Sequence, residues 1–214
     1  MKISGGLTEK GVVIGNTYDK YNSGNPIVRR IMQGFDATLL ELVEKANPSA
    51  IHEVGCGEGY WVLRWLEQGL TARGSDFSST VINLAKNNAS ERNLSEEAFR
   101  QQSIYNLQAE QDSADLVVCC EVLEHLEQPE EALRALQNIS QRHVILSVPR
   151  EPIWSMMNMF RGKYWSEFGN TPAHIQRWSQ RVFIQMVSQY FFMEQVCAPF
   201  PWTMLLCSSD RTPS

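Results

Sequence analysis

The stretch Ile51-His52-Glu53-Val54-Gly55-Cys56-Gly57-Glu58-Gly59 constrains the fold more than any other part of the chain. A short apolar strand breaks into alternating glycines and then enters an aromatic-rich helical pattern from Tyr60 to about Gln68. Glycine at these positions supplies positive φ where a tight turn needs it and lets a ligand approach the backbone with no Cβ in the way. The helix behind the turn points its unpaired N–H groups at whatever rests there. Such a strand–turn–helix unit reads as the floor of a nucleoside-cofactor pocket.

Dinucleotide-binding enzymes carry similar glycines, and the next stretch separates the readings. Thr71-Ala72-Arg73-Gly74-Ser75-Asp76-Phe77-Ser78 gives a second strand ending in an acid, about twenty residues on, placed to accept hydrogen bonds from ribose hydroxyls. In the dinucleotide fingerprint G-x-G-x-x-G the third glycine would fall at Tyr60; here it is Gly59, and an acid, Glu53, precedes the first. The combination Glu53-x-Gly55-x-Gly57-x-Gly59 followed by Gly74-x-Asp76-x-Ser78 resembles the class I S-adenosylmethionine-dependent methyltransferases. Asp115-Leu116-Val117-Val118-Cys119-Cys120-Glu121-Val122-Leu123-Glu124-His125-Leu126 is similar to that family's fourth-strand motif, in the type 11 small-molecule branch that includes the ubiquinone-biosynthesis O-methyltransferases. The likeness covers roughly residues 50 to 150.

The resemblance implies an α/β fold: a Rossmann-like, doubly wound seven-stranded sheet, mostly parallel with an antiparallel C-terminal hairpin. It implies S-adenosyl-L-methionine as cofactor, held by Glu53, Gly55, Cys56 and Gly57 at the first turn and by Asp76 with Phe77 at the second. Cys120 and Glu121 then lie beside the cofactor's amino-acid end. In the family an Asp usually stands at the place of Ser103 and bonds the adenine amino group. A serine hydroxyl accepts the same bond without the charge that strengthens it, so backbone groups at Ser103 and Ile104 are expected to share that recognition.

Length and composition fit one enzyme domain over 1–214. With 214 residues, 43% hydrophobic and 20% charged, the chain can bury a full core. A net charge of -5 and the lack of a Lys/Arg run argue against a nucleic-acid partner. Five cysteines, an odd number with no C-x-x-C pair, read as reduced core residues of a cytosolic protein. Without an apolar N-terminal region or a run of eighteen apolar residues, the chain is expected to be soluble and cytoplasmic, as a monomer or homodimer.

Residues 1–25 read as a loosely ordered arm whose Tyr18-Asp19-Lys20-Tyr21 either folds down over the cofactor, with Tyr21 in contact, or packs on the surface. From Pro26 to about Lys45 a helix carries Ile27, Ile31, Phe35, Leu39, Leu42 and Val43 on one face. Near its start Arg29 and Arg30 stand either in solvent or, for Arg30, within reach of the cofactor's carboxylate. Ser78 and Ser79 look like caps of a helix fraying among Asn87, Asn88 and Ala89; further strands are expected near 99–104, 115–120, 143–149, 191–197 and 202–207. Helices cover Glu130–Ile139 and Gln180–Tyr190. The segment 150–178, dense in Trp, Met, Phe and Tyr, reads as a substrate cover, with a satellite core or a dimer contact as alternatives, and 152–165 as a peripheral membrane contact.

Methyl transfer asks the protein to align the acceptor, exclude water and take a proton from a hydroxyl acceptor. His125 and His174 are the candidate bases; His125 equally fits a structural capping role. The expected reaction is methyl transfer to a small or lipid-like acceptor, at oxygen. Glu121, Glu124, His125 and His174 could instead hold Mg²⁺ or Mn²⁺, a pattern resembling the metal-dependent enzymes that methylate RNA at the 3′-terminal 2′-oxygen. A third reading is a cofactor-binding protein without transferase activity.

Overall fold

The computed structural model describes residues 1–9, 12–16, 23–160 and 175–209. Among them seven strands form one sheet: β1 (Ile51–Val54), β2 (Ala72–Asp76), β3 (Phe99–Gln101), β4 (Ala114–Cys120), β5 (Ser140–Pro149), β6 (Phe192–Cys197) and β7 (Trp202–Ser208). Their spatial order is β3-β2-β1-β4-β5-β7-β6. The first five are parallel, with Ile51 of β1 beside both Ala72 and Leu116. β7 runs antiparallel between β5 and β6. This is the expected sheet, and its strand order reverses between β1 and β4, where open α/β sheets bind ligands at the carboxyl ends.

The alternation along each buried strand explains why helices cover both faces. On β4, Leu116 and Val118 join one core and Val117 and Cys119 the other; on β7, Met204 and Leu206 are divided from Leu205 and Cys207 in the same way. The first face is covered by α1 (Pro26–Ala46), α2 (Tyr60–Glu67) and α3 (Ser79–Ser90), through Phe35, Leu39, Trp61, Trp65 and Ala85. After a short α4 (Ala109–Asp112), the other face is covered by α5 (Pro129–Ile139) and by α7 (Gln180–Val187), with α6 (Ile153–Phe160) between them in sequence. Each large apolar side chain so buried contributes about 1.5–3 kcal/mol.

Local chemistry sets the helix ends. Asn25 caps α1 by accepting from the Ile27 and Val28 amides, and Pro26 fills the first turn. Asn47, at φ 43, ends it in the left-handed region before Pro48. Ile27 departs from the expected inner face and is 69% exposed, because it precedes the first turn that meets the sheet. No helix among the described residues is long and apolar enough to cross a membrane.

The described parts of the N-terminal arm are not loose. Thr8–Glu9 pairs antiparallel with Val12–Val13, and Ile14 is 1% exposed. The third helix also differs from expectation: it runs to Ser90 without fraying at Asn88, whose buried side chain bonds the Lys2 and Glu58 backbone. β3 stops at Gln101, short of Ser103.

Candidate functional site

The turn after β1 is built by the glycines. Gly55, Gly57 and Gly59 have φ of 79°, 53° and 85°. The Gly55 and Cys56 amides both donate to the Ser75 carbonyl, at 2.7 and 3.0 Å, which ties the turn to β2. A Cβ on Gly55 would lie 2.3 Å from Val122 Cγ2, so glycine is required there for the turns after β1 and β4 to touch. At Gly57 nothing stands within 4 Å of where a Cβ would be, leaving open space above the turn.

Asp76 closes β2 beside that space. Its Oδ2 accepts from the Gly57 amide at 3.1 Å and its Oδ1 from the Ser78 amide at 3.0 Å. Burial pushes its carboxyl above the ordinary range, the two amides pull it back, and the Glu58 and Glu9 carboxylates push it up again. Each oxygen keeps a lone pair for a further donor. Phe77, next along, is 42% exposed. Glu53 is buried in β1, and Cys56 is buried with its thiol pushed well up, by burial first and then by Asp76.

The turn after β4 adds Cys120 and Glu121. Glu121 adopts φ 59, a left-handed conformation that a non-glycine residue reaches at a cost of about 1–2 kcal/mol and that clusters at functional sites. Its Oε1 accepts from the Ser147 hydroxyl at 3.0 Å and its Oε2 from Trp202 Nε1 at 2.5 Å. Trp202 in turn packs edge-on against Phe35, at 5.0 Å between centroids, and near Trp154, at 6.0 Å. The Cys120 thiol is raised by burial first and then, against the Ser147 hydrogen bond, by Glu53, Glu121 and Glu124. Those carboxylates therefore share one negative field at the carboxyl ends of β1 and β4.

His125 ends a 3-10 turn, Leu123–His125, directly after this strand; its side chain is 34% exposed and its Nε2 lies 3.9 Å from Glu124 Oε1. Ser103 and Ile104 are not joined to this group by any hydrogen bond among the described residues. The Ser103 hydroxyl caps the turn Ile104–Asn106 by accepting from the Tyr105 amide at 3.4 Å, and the Ile104 side chain is buried in the core under α5. Arg30 is exposed on α1. Tyr21 and His174 lie outside the described residues, as do residues 161–165 of the expected membrane contact at 152–165. No group of three or more His, Cys, Asp or Glu side chains among the described residues is placed to hold a metal ion.

Four features escaped the reading of the sequence. Glu58 is 1% exposed and bonded by the arm, and Ser147 and Trp202 hold Glu121. Only Glu58 left a local signal, an acid inside a glycine turn with no cation nearby in sequence. His52, behind the turn, is the fourth: its Nδ1–H donates to the Asp112 carbonyl at 2.8 Å, so its Nε2 accepts from the Ser75 hydroxyl at 2.9 Å. Burial pushes it down to about 4, and it stays neutral.

Residues 52–147 match the sequence profile of a family described as a methyltransferase domain. The chain is 28% identical over 145 residues to the ubiquinone biosynthesis O-methyltransferase of Alkalilimnicola ehrlichii, a match spanning 61% of this chain and 58% of that one. The chain thus matches less than two thirds of that relative's own length. Magnesium protoporphyrin IX methyltransferase from Synechocystis with bound SAH superposes with a TM-score of 0.66 at 20% identity, over 88% of this chain and 90% of that one. A protein of Pyrococcus horikoshii superposes at 0.69 and 16% identity, over 90% and 95%. At these identities the structural likeness is one of fold. Residues 52–147, which carry the glycine turn, Asp76 and Glu121, are therefore similar to the methyltransferase-domain family, in a chain that shares its Rossmann-like fold with methyltransferases of known structure.

Proposed function

We propose that the protein transfers a methyl group from S-adenosylmethionine to an oxygen of a small, lipid-like acceptor. The observation that carries the donor is Asp76, poised between the Gly57 and Ser78 amides beside an open glycine turn. That chemistry fits a ribose with two hydroxyl donors attached to a cationic centre: Asp76 accepts from the hydroxyls, and the field of Glu53, Glu121 and Glu124 favours positive charge. A bound sulfonium supplies an already activated methyl group, which needs no covalent help from the protein.

The chain's own work is alignment and proton handling. Gly55, Cys56 and Gly57 present backbone to the cofactor without side-chain obstruction, and Phe77 offers its ring on the nucleoside side. Cys120 and Glu121 face the amino-acid end, with Glu121 held by Ser147 and Trp202. Trp154, half-buried where it packs near the buried Trp202, gives the neighbouring wall an aromatic ring suited to a flat or greasy acceptor. His125, half-exposed at the end of β4, takes the proton from an acceptor hydroxyl, and Glu124 steadies the imidazolium that forms. His174 is the second candidate for that proton. Transfer to oxygen is supported by the name of the Alkalilimnicola ehrlichii relative.

Calorimetric titration with S-adenosylmethionine and its demethylated product tests the reading, repeated with NAD and with Mg²⁺ or Mn²⁺. Binding of the first two without metal is expected. Binding of NAD in their place overturns it, and a requirement for metal replaces it with the metal-dependent reading.

A further inference from the structure

Glu58 points away from the open side of the glycine turn and into the N-terminal arm. Its Oε1 accepts from the Ser4 amide at 2.9 Å and from the Asn16 amide at 2.8 Å, and its Oε2 from Asn16 Nδ2 at 2.6 Å. Ser4 donates its hydroxyl back to the Ile14 carbonyl at 2.7 Å, closing the arm into a loop around the carboxylate. The approach is so close that a Cβ on Gly15 would lie 2.3 Å from Glu58 Oε1. The Glu58 carbonyl is held as well, by Asn88 Nδ2, which also donates to the Lys2 carbonyl.

The same arm reaches the turn after β2. Glu9 accepts from the Ser78 hydroxyl at 2.5 Å and from the Ser79 hydroxyl at 3.4 Å, and its charge lies at the N-terminus of α3, where the helix dipole favours it. Gly57, next to Glu58, and Ser78, bound to Glu9, are the two residues whose amides hold Asp76. The arm therefore brackets Asp76 from both sides, and neither anchoring point contacts the carboxylate through its own side chain.

We infer that residues 4–9 and 12–16 act as an intramolecular clasp for the cofactor site, with Glu58 as the positioning residue that transmits its hold to Gly57 and so to Asp76. The inference rests on the cofactor reading above. Without the clasp, the turns after β1 and β2 are joined by the Gly55 and Cys56 amides on Ser75, by the Gly57 amide donating to Asp76 and by packing. With it, the two amides that orient Asp76 are fixed relative to each other before any ligand arrives, and the entropy of ordering them is spent in folding.

The Asn16–Glu58 contact permits a charge-swap test. In Asn16→Asp two carboxylates face each other at pH 8, and no rotation of either relieves them. In Asn16→Asp with Glu58→Gln the new amide donates to the new carboxylate, and the two backbone amides keep their acceptor. Glu58→Gln alone is milder than Asn16→Asp, since Asn16 can turn its amide oxygen toward the new donor. Asn16→Asp is expected to weaken S-adenosylmethionine binding on the order of tenfold, and the double variant to recover it to within about threefold.

Hydrogen exchange on the unliganded chain gives the second readout: the Gly57 and Ser78 amides lose protection together in Asn16→Asp and regain it in the double variant. Glu9→Ala, a change at the other anchor that leaves Glu58 untouched, is expected to release Ser78 and to weaken binding in the same direction. Unchanged affinity in Asn16→Asp, failure of the double variant to recover, or loss of protection confined to residues 4–16 overturns the clasp. If the wild-type chain binds no S-adenosylmethionine while the exchange pattern holds, the cofactor reading has failed and the clasp's role in binding falls with it. That outcome is distinct from intact wild-type binding that the variants do not alter, which removes the clasp and leaves the cofactor reading standing.

Discussion

The turns after β1 and after β4 sit side by side at the carboxyl ends of adjacent strands, yet they are held in different ways. The first takes its shape from its own residues: glycines at alternate positions, amides donating to Ser75, and an acid from the next strand in register. The second takes its shape from far along the chain, because Glu121 is held at positive φ by Ser147 on β5 and Trp202 at the start of β7. Changes in β7 can therefore alter the turn after β4 while leaving the conformation of the glycine turn alone. This is the physical sense in which function is grafted onto a shared fold.

The point where the two turns touch gives the largest effect. Gly55→Ala forces a Cβ against Val122 at a positive φ, and the cost in stability is roughly 2–5 kcal/mol, summing left-handed strain and overpacking. Urea unfolding measures it. A loss below about 1 kcal/mol would show that the turns can part without penalty.

Stability of the β1 side is also expected to depend on pH through His52, whose surroundings include Arg73, Arg100 and Asp112. Its pKa of about 4 in the fold lies below the ordinary 6.5, so between those values the unfolded chain binds the extra proton and stability falls as pH is lowered. The full loss is about 3 kcal/mol by pH 4. His52→Gln flattens that part of the stability curve, while contributions from Asp76, raised and of opposite sign, are common to both proteins and cancel in the difference. Parallel curves for the two proteins would assign the slope to other groups.

Asp76→Ala separates the cofactor side by affinity. Loss of charged hydrogen bonds weakens S-adenosylmethionine binding by about 1.5–3 kcal/mol. An unchanged dissociation constant in titration calorimetry removes Asp76 from the ribose role.

The smallest effect belongs to the turn after β4. Trp202→Phe keeps a ring against Phe35 and Trp154 but takes away the N–H on Glu121, at a stability cost of about 1–2 kcal/mol. Its effect on S-adenosylmethionine affinity is expected to be smaller than that of Asp76→Ala. Equal losses would mean that the two turns act as one unit and would dissolve the contrast between them.

Much of the fold was legible because burial on both faces of a parallel sheet writes continuous apolar runs, as in Leu116–Cys119, between helices with one apolar stripe. The cofactor end was legible for a related reason: Gly55, Gly57 and Asp76 each do a job that few other residue types can do, at spacings set by one strand and one turn. The reading failed where a residue's role depended on what came to lie beside it. An arm of small polar residues docked instead of drifting, through Ser4 and Asn16 on Glu58.

The sequence by itself determined the order of the elements around the site: a glycine turn, an acid closing the second strand and an acidic fourth-strand turn, because backbone conformation and short spacings are local properties. Tertiary structure alone decided that Glu58 faces the arm, that Asp76 is bracketed from both sides, and that Trp202 reaches Glu121 across 81 positions of chain. Hydrogen bonds between residues so far apart are chosen by packing, which brings together only those partners the folded sheet has already placed within reach.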